Sequence, residues 1–404
     1  MTFSKHIFIL LFLAINVIAQ EKKEELKVEP ILSPDVETLS KIKELPINTW
    51  LKLPAFKVTG DKEWLTKSSK SALGPEGRDY SNKMAWMPDR KRAIYAGGGH
   101  NNNPYNDVWE YDLASNTWVC LYGADENSQG KSAEWMKANL VIKDGALQTK
   151  RGGPPRLTHT FDTWNYDSSR RIAFMSESFR GALFTDKKIV AQGLGLTDEE
   201  LAKQWKPGSY FLTFDPYACK WGFINENVIG CQEACSVRYI PHLNQWWTSS
   251  RQSLNLFDPT EKKTKELPIK GAIGGYECST TFDTNSKTIV GVHRFGKSNN
   301  VTFTYEIDTG IWKTPQTNAP TGGSTSTCYF DFDSVANRCV LFTQEVKPNL
   351  WLYDVKANEW TPIEPNGEQP PPGRMIGYYD PERDVVVHYN SKEIWVCRVK
   401  VPKK

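Results

Sequence analysis

The segment VWEYDLASNTWVCL at 108–121 returns almost position for position as LWLYDVKANEWTPI at 350–363, and weaker copies begin at 210 (YFLTFDPYACKWGFI), 253 (SLNLFDPTEKKTKEL) and 303 (FTYEIDTGIWKTP). Repetition over tens of residues is the strongest constraint a sequence places on its fold, because each unit must bury its apolar face against its neighbours. Upstream of each copy lies a second shared element, an aromatic followed by Asp or Pro, a polar turn and an apolar strand: WMPDRKRAIYA, NYDSSRRIAFM, YIPHLNQWWTS, FDTNSKTIVGV, FDSVANRCVLF and YYDPERDVVVH. Each unit therefore reads as four short strands, a to d, joined by an a–b turn, a variable b–c loop and a c–d turn such as DLASN, where Asp and Asn hydrogen-bond their own backbone.

Six four-stranded sheets packed face to face form a ring of blades, so the expected fold is an all-β, six-bladed β-propeller. The sixth unit stops at KEIWVCRVK, with a strand c but no strand d. The missing strand stands at the other end: NTWLKLP at 48–54 copies NTWVCLY at 116–122 without strands a to c before it. An N-terminal strand is thus expected to complete the last blade and leave no open edge.

The residues AGGG at 96–99, NDVWEYD at 106–112, NTW, and the Arg that precedes several a strands (Arg78, Arg156, Arg374) resemble the kelch-repeat propellers, including the central domain of galactose oxidase. The resemblance spans about residues 48–400 and implies a kelch-like propeller. It does not imply oxidase chemistry, since that copper site draws on a further domain for which this chain has no room. Another secreted kelch family, the sialic acid mutarotases, implies that a bare propeller can catalyse proton transfer with Glu and Arg at its channel mouth.

Outside the repeats, residues 1–19 read as a secretory signal, with Lys5 in the n-region, an apolar run from Ile7 to Ile15 and Ala19 before a cleavage at Gln20. That run is too short to span a bilayer, so the expected location is extracellular or periplasmic with no transmembrane segment. Residues 20–47 form a charged leader with a short helix from Pro34 to Leu45, capped by Ser33. Two insertions, 122–155 and 179–208, interrupt the 48–400 propeller, the second with a capping box at Thr197 and Glu200. Export permits the eight cysteines to pair. Cys278 and Cys328, equivalent in adjacent blades, are candidates for a bridge, Cys231 and Cys235 for a small loop, and Cys339 and Cys397 for buried thiols.

Chemistry is sparser. A net charge of +3 with no basic run excludes a nucleic-acid groove. Gly97, Gly98 and Gly99 precede a strand rather than a helix, so they serve close packing at the end of strand b and not phosphate binding. The Trp residues at repeat positions of strand d (50, 118, 221, 312, 360) and strand c (109, 351, 395) belong to the blade cores, which leaves Trp64, Trp135 and Trp205 in the leader and insertions.

The ends of strand b and the loops after them should converge on one channel mouth, carrying His100, Glu177, Arg251, His293 with Arg294, Glu345 and His388. The d–a connections add Arg78, Arg156, His159 and Arg374. Arg forks and His at a concave mouth suit an anionic or hydroxyl-rich ligand. No two histidines share a metal-ligand spacing, so neither a metal nor another cofactor is expected. The chain thus reads as a secreted binding module for a carbohydrate or protein ligand at the mouth. A small-sugar isomerase using the mouth Glu, His and Arg residues, or a structural envelope protein making contacts through its insertions, are the alternatives.

Overall fold

The computed structural model describes residues 32–404 except 68–73, 77, 79–80, 82, 99–104, 126–131, 158–159, 161, 179–186, 206–208, 225–235, 250–252, 269–277, 296–298, 316–319, 321–327, 344–346, 372–375 and 402–404; side chains of 67, 177–178, 209–210, 293–295 and 299–300 are also left undescribed. Strands a to d of blade 1 are Ala85–Met87, Arg92–Ala96, Val108–Asp112 and Thr117–Tyr122. Blade 2 comprises Asn165–Asp167, Ile172–Ser178, Ser209–Asp215 and Lys220–Ile224; blade 3, Val237–Ile240, Gln245–Ser249, Leu254–Asp258 and Lys263–Leu267. Blade 4 comprises Ser279–Asp283, Thr288–Phe295, Asn299–Glu306 and Ile311–Lys313; blade 5, Cys328–Asp333, Arg338–Thr343, Leu350–Asp354 and Glu359–Ile363. Blade 6 has Ile376–Asp380, Val385–Tyr389 and Ile394–Cys397, and its fourth strand is Trp50–Lys52 from the N-terminal side.

The expected closure is therefore present. Trp50 lies opposite Cys397 and Lys52 opposite Trp395, in antiparallel register. Asn48 tightens the joint by donating from Nδ2 to the Lys400 carbonyl (2.9 Å) and accepting the Lys400 N–H at Oδ1 (2.8 Å). A strand that no repeat foretold, Lys57–Gly60, adds in parallel to strand d of blade 1.

One turn chemistry builds all six blades. The carboxylates of Asp167, Asp283, Asp333 and Asp380 accept backbone N–H groups two or three residues ahead in the a–b turns, and Asp112, Asp215, Asp258 and Asp354 do so in the c–d turns. Each a–b turn closes on a left-handed residue (Lys91, Arg171, Asn244, Lys287, Asn337, Asp384) with φ between 53° and 56°. The apolar cores lie between neighbouring sheets, for example Trp118 and Tyr111 against Tyr378 and Val387 across blades 1 and 6. Trp50, Trp109, Trp118, Trp221, Trp312, Trp360 and Trp395 are buried, as the repeat positions require, whereas Trp351 is only half-buried against its core.

The leader helix, α1, is Val36–Glu44, two residues shorter at its start than expected, and its cap is Asp35 rather than Ser33. The Asp35 carboxylate sits in reach of the Thr38 N–H (2.9 Å), whereas Ser33 lies two residues before the cap position. Among the described residues four more helices follow: α2 (Lys62–Lys67), α3 (Ala133–Asn139), α4 (Lys187–Leu194) and α5 (Asp198–Gln204), the last with the expected capping box at Thr197 and Glu200. The two insertions share one core, in which Met136, Leu140 and Leu147 of the first pack with Val190, Leu201 and Trp205 of the second. Gly193 is required there, since a Cβ would stand 2.3 Å from the Met136 sulfur.

On the axis, ionic groups tie the blades together. Lys83, at the start of blade 1, donates to the carbonyls of Phe330 (2.7 Å) and Thr280 (3.3 Å) and lies 3.6 Å from Asp331. The Asp162 carboxylate of blade 2 pairs with the Arg238 guanidinium of blade 3 and accepts Ser236 Oγ (2.7 Å), the Thr280 N–H (2.6 Å) and Thr280 Oγ1 (2.8 Å). Asp331 in turn accepts the Tyr379 N–H of blade 6 at 3.0 Å. Every blade thus contributes to one axial network of two cations and two anions.

Burial lowers the Lys83 pKa, aided by nearby Arg238 and opposed by Asp331 and Asp162. Removing one member leaves its partner charged and dry, so Asp162→Ala should destabilise the fold by about 3–5 kcal/mol. A guanidinium midpoint unchanged from wild type would contradict that role.

Candidate functional site

Antiparallel sheets put the b–c loops and d–a connections on one face of the ring and the a–b and c–d turns on the other. The structure distributes the expected mouth residues unevenly. His100, His159, Arg251, Glu345 and Arg374 lie outside the described residues. Backbone register puts Glu177 opposite Tyr210, His293 opposite Val301 and Arg294 opposite Asn300, at the b–c ends of their strands. Arg156 is half-buried in the connection from blade 1 to blade 2.

His388 departs from the expectation. It is fully buried, with its ring 4.9 Å from that of Phe342 and 6.2 Å from that of Trp50. The reason is positional: His388 pairs with Gly377 as Gly291 pairs with Thr280, so its counterpart in blade 4 is Gly291 and not His293. It sits one residue before the end of the short strand Val385–Tyr389, with its ring against Phe342 of the neighbouring blade. Arg78 is likewise withdrawn from the mouth. Its guanidinium donates to the Gly97 carbonyl and to Asp107 (2.5 Å), which also accepts the Trp109 indole N–H (2.6 Å). Gly97 has φ +144°, and a Cβ there would meet Ser81 Oγ at 2.6 Å, so the glycine run begins with a packing glycine, as expected.

The cysteine bridge is also corrected. Cys278 and Cys328 are not joined by a disulfide, and the other described cysteines, Cys120, Cys219, Cys339 and Cys397, form none either. Each of the two faces a hydroxyl of the preceding blade instead, Cys278 Sγ lying 3.2 Å from Ser236 Oγ and Cys328 Sγ 3.5 Å from Ser279 Oγ. Burial pushes the Cys278 thiol up to about 11. Cys339 and Cys397 are buried thiols, and Cys231 and Cys235 lie outside the described residues.

A concave site does form on the d–a face, at the rim of blade 1, where α2 and the first insertion meet. Its cavity of about 230 Å³ is lined by Trp64 and Trp135 together with Asp61, Asp125, Asn139 and Arg151 among others. The local sequence explains each placement. Asp61 starts α2, accepting the Trp64 N–H (3.2 Å) at Oδ1 and the Gly123 N–H (3.1 Å) at Oδ2. Gly123 is needed because Trp64 stands where its Cβ would be, 2.3 Å away. Trp64 also meets the Tyr105 ring edge-on at 5.8 Å. Ser132 caps α3 through the Trp135 N–H (3.1 Å), and Asn139 donates back to the Trp135 carbonyl (2.9 Å).

Asp125 is held from behind by Asn106 (2.7 Å), Tyr122 (3.0 Å) and Thr149 (2.6 Å), and from the front by Arg151 (3.1 Å). Arg151 lies over the Tyr122 ring at 4.5 Å and leaves half of its side chain in solvent. The site therefore offers two indoles, three donors and acceptors with fixed directions, and nearly balanced charge. Sequence reasoning reached Trp64 and Trp135 by excluding the repeat positions, but Asp61, Asp125 and Arg151 carry no repeat signal. Trp205, the third residue so isolated, belongs to the insertion core at 3% exposure.

Burial in an apolar site lowers the His388 pKa from 6.5 to about 3. The imidazole stays neutral in the folded protein while the unfolded chain protonates near pH 6.5, so stability falls as pH drops from that value toward 3 at about 1.4 kcal/mol per unit. His388→Phe should lack this component. The stability difference between the two proteins should shift by about 2 kcal/mol in favour of the variant between pH 7 and pH 5, measured by urea unfolding; a difference that does not vary with pH would refute the assignment.

Among the described residues no helix is long and apolar enough to cross a membrane. In sequence, residues 91–121 match the Kelch motif. No curated protein is significantly similar to the chain. Among solved structures, TolB from Acinetobacter baumannii aligns at 14% identity with a TM-score of 0.37, over 69% of this chain and 57% of its own. A gluconolactonase from Xanthomonas campestris aligns at 9% identity with a TM-score of 0.45, over 80% of this chain and 86% of its own. An auxiliary nutrient binding protein from Bacteroides thetaiotaomicron aligns at 8% identity with a TM-score of 0.46, over 86% and 76% respectively. Likenesses this remote bear on no ligand or reaction. With five four-stranded blades, a first blade widened to five strands by Lys57–Gly60, and one shared turn chemistry, the chain is an all-β six-bladed propeller whose first blade carries a Kelch motif over strands b to d.

Proposed function

We propose that the chain is an exported, non-catalytic binding propeller that recognises carbohydrate on its d–a face. The observation that carries this reading is the rim cavity. Trp64 and Trp135 are dispensable to the blade repeat, yet both line one concavity beside the directed polar groups of Asp125, Asn139 and Arg151. Sugar rings have apolar C–H faces and outward hydroxyls, and they suit a surface that offers indole together with fixed donors and acceptors. The balanced charge around Arg151 favours a neutral glycan over an acidic one. Export rests on the N-terminal signal segment, which lies outside the described residues.

Calorimetric titration of the chain from Gln20 with neutral and acidic oligosaccharides tests the reading. A neutral glycan should bind, and Trp64→Ala and Trp135→Ala should each weaken it about tenfold, the equivalent of one lost aromatic contact. Binding that survives both substitutions, or no binding to any glycan, would overturn it.

A further inference from the structure

The opposite face of the ring carries a second cavity, on the axis among the a–b turns. It measures about 280 Å³. Each blade lines it with the aromatic residue one position before the last of its strand a: Trp86, Tyr166, Tyr239, Phe282, Phe332 and Tyr379. The six equivalent positions are thus all aromatic, although nothing in the turn chemistry demands it. The rim is formed by one turn residue from each blade: Pro88, Ser168, Pro241, Thr284, Ser334 and Pro381.

The floor is the axial network. Lys83, Arg238 and Asp331 all line the cavity, which is therefore closed at its inner end. Lys83 commits two of its three protons to carbonyls, and its third faces Asp331 at 3.6 Å, beyond hydrogen-bond range. Asp331 keeps 21% of its side chain exposed. Arg238 balances Asp162, and its Nε has no hydrogen-bond partner among the described residues. The floor thus presents a cation and an anion side by side with no net charge.

Three features select a ligand. A singly charged group would meet attraction and repulsion of similar size while losing its hydration, so neither a simple anion nor a simple cation gains. The wall offers little to hydroxyls: Tyr166, Tyr239 and Tyr379 already donate outward to Asp89 (2.9 Å), Asn244 (3.2 Å) and Asp384 (2.9 Å). A polyol held there would lose water without replacing its hydrogen bonds. The volume exceeds the ~150 Å³ that accommodates a benzene ring in an apolar protein cavity. We propose that this axial cavity binds a free amino acid with an apolar or aromatic side chain, its carboxylate on Lys83, its ammonium on Asp331 and its side chain within the aromatic ring of the wall.

The two cavities lie on opposite faces, so this proposal stands independently of glycan recognition at the rim. The test is calorimetric titration of the full chain with L-phenylalanine, with phenethylamine and 3-phenylpropionate as its singly charged analogues, and with glucose as the polyol. Phenylalanine should bind, each analogue at least about tenfold more weakly, and glucose should give no heat. Asp331→Asn should abolish preference for phenylalanine over 3-phenylpropionate. Because that change also touches the axial network, Ser334→Trp at the exposed rim supplies a second variant; it should block phenylalanine while leaving the melting temperature unchanged. Equal binding of either analogue, binding of glucose, silence with phenylalanine, or undiminished binding in Ser334→Trp would each overturn the proposal.

Discussion

Among the described residues no disulfide joins one sheet of the ring to another, so the groups on its axis decide whether the blades share one geometry. Here those groups are Lys83 with Asp331 and Arg238 with Asp162. Two buried ion pairs are costly to desolvate, and hydrophobic replacements of similar shape would serve packing as well or better. What the charges supply is specificity of position. Asp162 has room for its four partners only when blades 2, 3 and 4 stand at one distance and one angle. Lys83 extends the same condition from blade 1 to blades 4 and 5, and Asp331 passes it to blade 6 through the Tyr379 N–H. The apolar cores between sheets tolerate small slippages; this set of hydrogen bonds does not.

The blades were legible because their signal is local. An Asp that accepts its own backbone N–H groups, followed by a left-handed residue and a strand, depends on four or five neighbouring residues and survives when the rest of the unit diverges. The closure by 48–54 was legible for the same reason, since NTW at 48–50 carries the left-handed Asn48 (φ 53°) as NTW at 116–118 carries Asn116 (φ 50°). Errors arose where a residue had to be counted along a strand rather than from a turn. His388 looks like an accessible strand-end histidine in the sequence, but measured from its a–b turn it stands opposite Gly377 and is buried against the neighbouring blade. Cys278 and Cys328 are equivalent in sequence and still do not meet, because each thiol is directed to a hydroxyl of the blade before it.

Long-range assembly was illegible for a different reason. Nothing in 122–155 or 179–208 announces that the two insertions share a core, because their apolar positions are satisfied by each other and not by a period. The axial charges were likewise present in the sequence, yet their pairing becomes visible only once six strands stand around one axis. Of the rim cavity, exclusion from the repeat recovered the two indoles. The polar partners were hidden because Asp61 and the insertion residues Asp125 and Arg151 stand far apart in the chain and only the fold brings them together.

The joint at Asn48 has a bearing on how the molecule comes into being. Its hydrogen bonds reach the Lys400 backbone across 352 positions of chain. Synthesis delivers blades 1 to 5 before the partner strands of residues 50–52 exist, and domains generally organise from the N-terminal end as they emerge. Until the last residues arrive, the 48–54 segment has no sheet to join, and the Ile394–Cys397 edge must find it by closing the longest loop the chain contains. Contacts of that separation are slow to form. The final act of folding is therefore the meeting of the two chain ends, and it is there, rather than in any blade, that an incomplete ring would present a free edge to a second copy of itself.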